Sequence, residues 1–375
     1  MLKATFPHLG NFYIPFKSFL SELGLEPVAP PLTSQRTVAL GTRMSPEFAC
    51  LPLKITLGNF IEAIDAGAEC VFMVGGGGPC RLGYYGEVQR EILHENGYGA
   101  DFIVLEAPQD QPGKMREVIR RYIPRRKPHD FFRAFQIFWR KARAIDCFDL
   151  EVNKVRPFAA DPGACTELQT RFYLEVDNAS SIAAIQTVYK ESVIKLNELS
   201  KRDPTFVPLL LLIGEIYMVL EPRVNFQIER TLGSMGVDVR RTIYITDWIK
   251  ENFLLRYIQP SFQKKRLLTA KPYLKNPVGG HGLESVAHMV ESGVNRYDGV
   301  IHLAPFTCMP EIVAMQIFPG VSKELSIPVL SLIIDEHSAE AGIQTKLEAF
   351  TDLLAFRNMQ KKKPIESTVP TGLSH

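Results

Sequence analysis

The stretch VFMVGGGGPCRLGYYGEVQREIL, Val71 to Leu93, decides the fold. A short apolar run meets four consecutive glycines, Gly75 to Gly78, which offer no side chain to pack and favour special backbone angles, so the predicted strand ends there. From Tyr84 to Leu93, Tyr85, Val88 and Ile92 recur at helical spacing with Glu87, Arg90 and Glu91 between them, which predicts an amphipathic helix. Cys80 thus falls at a strand-to-helix junction, the place where open α/β sheets carry their chemistry.

Outward from this unit, the first hundred residues alternate strand and helix. Strands are expected at Leu2–Phe6, Pro27–Ala29, Cys70–Val74 and Phe102–Leu105, helices at Phe16–Leu23 and Thr56–Ala66, and a loop around Cys50. Alternation of this kind implies a parallel sheet covered on both faces. From Lys114 to about Arg202 the pattern turns helical throughout. Its basic, aromatic opening, with Phe131, Phe132, Phe135, Phe138 and Trp139, is read as rings turned inward while Arg133, Arg140, Lys141 and Arg143 stay solvated, not as a nucleic-acid surface. After Pro208 the alternation returns, with strands at Leu209–Ile213, Val239–Ile245, Gly299–Leu303 and Val329–Ile334 and helices at Val224–Gly233, Leu283–Val290, Met309–Phe318 and Gln344–Leu354. A helical stretch from Trp248 to Ile258 and a basic loop separate the second and third of these strands.

The two halves read as one unit used twice. GNFYIPFKSFLSELGLEPV from Gly10 parallels GEIYMVLEPRVNFQIERTLGSMGVDV from Gly214, and IEAIDAGAECVFMVGGGGPC, ending at Cys80, parallels AHMVESGVNRYDGVIHLAPFTC, ending at Cys308. The fold class expected is therefore α/β: two similar Rossmann- or flavodoxin-like lobes with parallel sheets, joined by helices. The lobes take residues 1–110 and 206–357, the helical connector takes 111–205, and 358–375 is read as a disordered polar tail.

With 375 residues, 46% of them hydrophobic, the chain can bury a large core, and a net charge of +2 argues for no nucleic-acid partner. The longest apolar run, Val207 to Ile213, is far short of the roughly 20 residues that span a bilayer, so no membrane segment is expected. The opening MLKATFPHLGNF lacks the pattern of a secretory signal, which makes the cytoplasm the default location.

Cysteines 50, 80 and 308 lie in PEFACLPLK, GGGPCRLG and APFTCMPE, each near a proline and ahead of a helix start. A helix amino end lowers a thiol pKa, and thiolates bind soft metals. Cys70, Cys147 and Cys165 are read as structural. Gly75 to Gly78 lacks the lysine and hydroxyl of a P-loop and the spacing of a dinucleotide fingerprint, so close approach to a bulky group explains these glycines better than a nucleotide does.

The motifs CLPLKITLGNFIEAIDAGAECVFMVGGGGPCRLGYYGEVQREIL, NPVGGHG, APFTCMPEIV and DEHSAEAGIQTKLEAFTDLL together resemble the family of 2-hydroxyacyl-CoA dehydratase D-components and CoA-dehydratase activase-associated proteins, which is related to the double-cubane cluster reductases. The resemblance implies a 4Fe-4S cluster between two α/β lobes, with Cys50, Cys80 and Cys308 as ligands and Gly77, Gly78 and Pro79 against the cofactor. It implies an electron from an ATP-hydrolysing iron-sulfur activase, used for a difficult reduction or a radical dehydration. An acyl-CoA and a similar subunit or second copy are the further partners it admits. His281 and Glu336 are the candidates for proton transfer. Two alternatives stay open at this point: a non-catalytic scaffold that binds the activase, and a zinc site of Cys50, Cys80, Cys308 and His281.

Overall fold

The run Leu209–Gly214 contains no polar side chain, a composition that suits a strand buried on both faces of a parallel sheet. In the computed structural model, which describes residues 1–75, 81–105, 112–123, 126–251 and 261–362, it is one of the two inner strands of the second of two four-stranded sheets. The first lobe consists of β1 (Lys3–Thr5), α1 (Tyr13–Glu22), β2 (Glu26–Pro27), α2 (Gln35–Met44), α3 (Leu51–Asp65), β3 (Cys70–Val74), α4 (Tyr85–Glu95) and β4 (Asp101–Leu105). Helices α5 (Pro112–Tyr122), α6 (Pro128–Val155), α7 (Pro162–Asn178) and α8 (Ile182–Asn197) form the connector. The second lobe begins with β5 (Leu209–Gly214), α9 (Ile216–Leu220), α10 (Ile228–Ser234), β6 (Asp238–Arg241), α11 (Ile245–Ile249) and α12 (Ser261–Ala270). It ends with α13 (Gly282–Val294), β7 (Gly299–Pro305), α14 (Met309–Leu325), β8 (Val329–Ile334) and α15 (Glu340–Lys362).

The sheets have the orders β2-β1-β3-β4 and β6-β5-β7-β8, every described pairing being parallel. They are therefore the same topology twice, as the internal similarity predicts. In each, the chain leaves the first strand to one side and returns on the other. This creates a switch point between β1 and β3, and again between β5 and β7, beyond whose carboxyl ends a crevice opens. Leu51 and Ile55 of α3 pack in one apolar cluster with Leu210, Leu212, Ile301 and Leu303, so the first lobe contributes directly to the core of the second.

The connector has its own core, in which Phe148 and Phe172 meet at a centroid distance of 4.1 Å and into which Ile14 of α1 inserts. Its basic, aromatic opening behaves as expected at Phe138, which is buried, and at Arg133, Arg140 and Arg143, which are exposed. Two residues depart from that reading. Phe132 is exposed, whereas Lys141 is buried, with Nζ donating to the Asp177 carbonyl at 2.7 Å; burial lowers its pKa to about 8.

Other departures are local. Residues 35–44 form a helix that periodicity missed, the strand expected over Val239–Ile245 stops at Arg241, and the basic loop after it contains α12. Helix α15 runs to Lys362, into the segment read as a tail. Among the described residues no helix is long and apolar enough to cross a membrane.

Candidate functional site

Cys50 and Cys308 are both helix N-caps, of α3 and α14, with extended backbone and a proline in the first turn that follows. Proline fits there because the first helical N–H groups have no partner to lose. Both residues are buried, at 8% and 7% exposure, although they come from different lobes. Their loops meet directly, Thr307 Oγ1 donating to the Phe48 carbonyl at 3.2 Å. Cys50 lies near enough for its charge to act on Cys308. The Cys50 sulfur also shares a hydrogen bond with the Tyr85 hydroxyl at the start of α4. Cys80 and its neighbours Gly77, Gly78 and Pro79 lie outside the described residues.

The electrostatics at Cys308 run opposite to the expectation of a lowered thiol pKa. Burial, the largest influence, and the nearby Glu215 carboxyl push the thiol up, outweighing the Glu311 backbone N–H that would lower it. Glu215 caps α9, its Oε2 accepting the Met218 N–H at 3.0 Å. Burial raises its own pKa to about 7 against the opposing hydrogen bonds from Tyr217 and Met218, and Glu311 adds to the rise. Glu311, fully buried, receives Ser285 Oγ on Oε2 at 2.8 Å, and His302 Nε2 lies 2.8 Å from the same oxygen. Its Oε1 has no partner among the described residues.

Two further bridges tie the lobes. Lys54 Nζ of α3 lies 2.5 Å from Glu336 Oε1, just beyond β8. Glu221 Oε2 accepts the Gly10 N–H at 2.6 Å, with His8 Nδ1 2.8 Å away. Glycine is required at position 10: its φ is +49°, and a Cβ would stand 2.2 Å from the Leu220 carbonyl oxygen.

The structure thus brings Cys50, Cys308 and Glu336 to one inter-lobe seam. Burial acts to raise the Glu336 carboxyl, but the Lys54 hydrogen bond and charge prevail and its pKa is lowered, which makes it the anionic end of a bridge. His281, the N-cap of α13, occupies the position in its lobe that Cys50 occupies in the first. Its imidazole lines a separate cavity of about 340 Å³ with Glu284, Ser285 and Arg266, and burial lowers its pKa despite the opposing Glu284 and Glu311 charges. Helices α13 and α14 adjoin there, since a Cβ on Gly282 would lie 2.5 Å from the Pro310 carbonyl oxygen. Cys70 and Cys165 are buried in apolar clusters, as their structural reading requires.

Sequence reading missed His8, Glu215, Glu221 and Glu311. The available signal was GEIYMVLE, where two carboxylates bracket an apolar run that is itself buried; such groups must find partners inside the protein.

Two soft thiols held from opposite lobes, with hydrogen bonds reaching both sulfurs, are a donor set that fits a thiophilic metal centre. A raised Cys308 pKa does not conflict with that fit, because metal binding to a thiol displaces its proton. Among the described residues no group of three or more His, Cys, Asp or Glu is arranged to hold a metal ion. No protein-family model and no curated protein matches the chain.

Proposed function

We propose that the chain is an iron-sulfur protein in which Cys50, Cys80 and Cys308 hold a 4Fe-4S cluster at the lobe seam. It would receive electrons from an ATP-hydrolysing iron-sulfur activase and act in the cytoplasm on a difficult reduction or a radical dehydration of the 2-hydroxyacyl-CoA dehydratase type. The observation that carries this reading is the convergence of Cys50 and Cys308, distant in sequence, as buried helix N-caps whose loops are hydrogen-bonded across two lobes. A bound cubane supplies one-electron transfer at a potential set by burial and by hydrogen bonds to its sulfurs.

The chain's own residues provide the surroundings. Tyr85 hydrogen-bonds the Cys50 sulfur, the Glu311 N–H reaches Cys308, and the Lys54–Glu336 bridge fixes the spacing of the lobes. His281, kept uncharged by burial, is the group we assign to proton transfer. Phe48, Phe306, Met309 and Ile312 flank the two cysteines and are 73%, 55%, 41% and 42% exposed. Apolar side chains left in water beside a buried site support a docking surface for the activase.

The test is anaerobic purification with iron and sulfide quantified and a visible spectrum recorded. A brown protein is expected, with iron content falling in Cys50→Ala and Cys308→Ala. Zinc in place of iron, or unchanged iron in both variants, overturns the proposal. Electron transfer from the reduced activase with ATP separates a catalytic component from a scaffold that merely holds a cluster.

A further inference from the structure

A second cavity, of about 410 Å³, lies where the first lobe, the helical connector and the second lobe meet. None of Cys50, Cys308, Glu215 and Glu311 lines it, so it is distinct from the thiol centre.

At its inner end stands His8, 2% exposed. Glu221 fixes the orientation of the ring. One of its carboxylate oxygens accepts the Gly10 N–H, the other accepts the Arg223 N–H at 3.3 Å, and an acceptor so placed takes Nδ1–H of His8 as donor. In its neutral form the imidazole then presents Nε2 as an acceptor. That atom is buried and has no partner among the described residues. An unpaired buried nitrogen is costly, and a ligand hydroxyl would satisfy it.

The charges around the cavity are unevenly committed. Arg241 takes three carboxylates, Asp149 and Glu229 at 3.1 Å and Asp146 at 3.8 Å, and Glu221 is held by His8 and two backbone N–H groups. Every carboxylate of the lining is thereby engaged. Three other lining guanidinium groups have no carboxylate partner among the described residues. Arg156 is buried and donates to Thr166 Oγ1 at 2.6 Å and Gln169 Oε1 at 3.0 Å. Arg223 and Arg230 are exposed at the mouth, Arg230 donating to Gln227 Oε1 at 2.9 Å. Arg230 and Arg156 are near enough to repel one another, a repulsion that an anion between them would relieve.

We propose that this cavity binds a small hydroxylated oxyanion, with its hydroxyl donating to His8 Nε2 and its carboxylate or phosphate held by Arg223 and Arg230. Guanidinium groups pair with either oxyanion through the same charge-assisted hydrogen bonds, so the geometry specifies a hydroxyl and an anionic head group in one molecule.

Calorimetric titration of the intact protein with inorganic phosphate, glycerol 3-phosphate and lactate tests the assignment. At least one of the two hydroxylated probes should bind more tightly than inorganic phosphate. Tighter binding of glycerol 3-phosphate assigns a phosphate head group, and tighter binding of lactate a carboxylate. The surface variant R223Q/R230Q should weaken every probe roughly tenfold or more while leaving the unfolding midpoint unchanged. His8→Gln should remove the advantage of the hydroxylated probe and leave inorganic phosphate unaffected. Absence of saturable binding for all three probes up to about 10 mM overturns the proposal, as does binding that R223Q/R230Q leaves intact. Equal affinity for inorganic phosphate and both hydroxylated probes removes the role given to His8.

Discussion

The Lys54–Glu336 bridge makes a quantitative demand on the inter-lobe seam. The Lys54 side chain is 5% exposed and that of Glu336 17%, so each substitution strands the opposite charge in a poorly hydrated place, and the ammonium is the more deeply buried of the two. Breaking a buried pair from one side costs about 3 kcal/mol or more. Because Glu336 keeps more water, Lys54→Met is expected near about 2 kcal/mol and Glu336→Gln near about 3 kcal/mol. The double variant should cost little more than the larger single, which gives a coupling energy of about 2 kcal/mol. Urea unfolding followed by circular dichroism measures all three.

The same bridge sets a pH dependence. The folded-state pKa of Glu336 is lowered, so its contribution is fully present above the ordinary glutamate value of 4.5 and is lost as pH falls through the folded value. The stability gap between the native chain and Lys54→Met should therefore be full at neutral pH and shrink on acidification below that point. Additive single effects, within about 0.5 kcal/mol, would refute a bridge that couples the lobes.

Glu215 has the opposite sign: with a folded pKa of about 7 against an ordinary 4.5, its contribution is present below the ordinary value and lost as pH rises toward 7, by about 3 kcal/mol. Chelator-treated protein should lose that slope in Glu215→Gln, read from urea midpoints at acid and neutral pH; an unchanged slope would count against a buried, proton-holding carboxyl. Gly10→Ala should destabilise by at least about 2 kcal/mol, since the methyl meets the Leu220 carbonyl in a left-handed conformation. Thermal unfolding of the variant checks this, and a midpoint equal to that of the native chain would contradict the close approach.

Much of the fold was legible because its elements obey local rules. Cys70–Val74 and Val329–Ile334 are apolar runs ended by turn chemistry, and both are strands with those bounds. Residues 35–44 were illegible for a tertiary reason. The helix carries Gly41 in its interior, a local cost, and that glycine is needed because a Cβ there would lie 1.6 Å from the Lys54 carbonyl oxygen of α3. The run after Val239 alternates like a strand, yet Arg241 leaves the pattern to meet Asp149 and Glu229, and Ile245 opens a helix. Lys141 looked like a solvated charge because nothing in its neighbourhood of sequence names the Asp177 carbonyl that receives it. The helix starts at Cys50 and Cys308 were legible by the prolines that follow them, whereas the partners of Glu221 and Glu336 lie in the other lobe, beyond the reach of any local pattern.

The duplication explains why the seam is asymmetric. Each lobe presents an N-cap on the helix before its third strand, Cys50 on α3 and His281 on α13, and each follows that strand with a cysteine in sequence, Cys80 and Cys308. In sequence the chain has a cysteine at three of those four positions and a histidine at the fourth, and the His281 imidazole lines the separate cavity beside Glu284 and Arg266. For the cluster we propose, the second lobe would supply one thiolate where the first would supply two, and Glu215 and Glu311, which act on Cys308, with Ser285 bonded to Glu311, would be the groups able to hold a proton beside it.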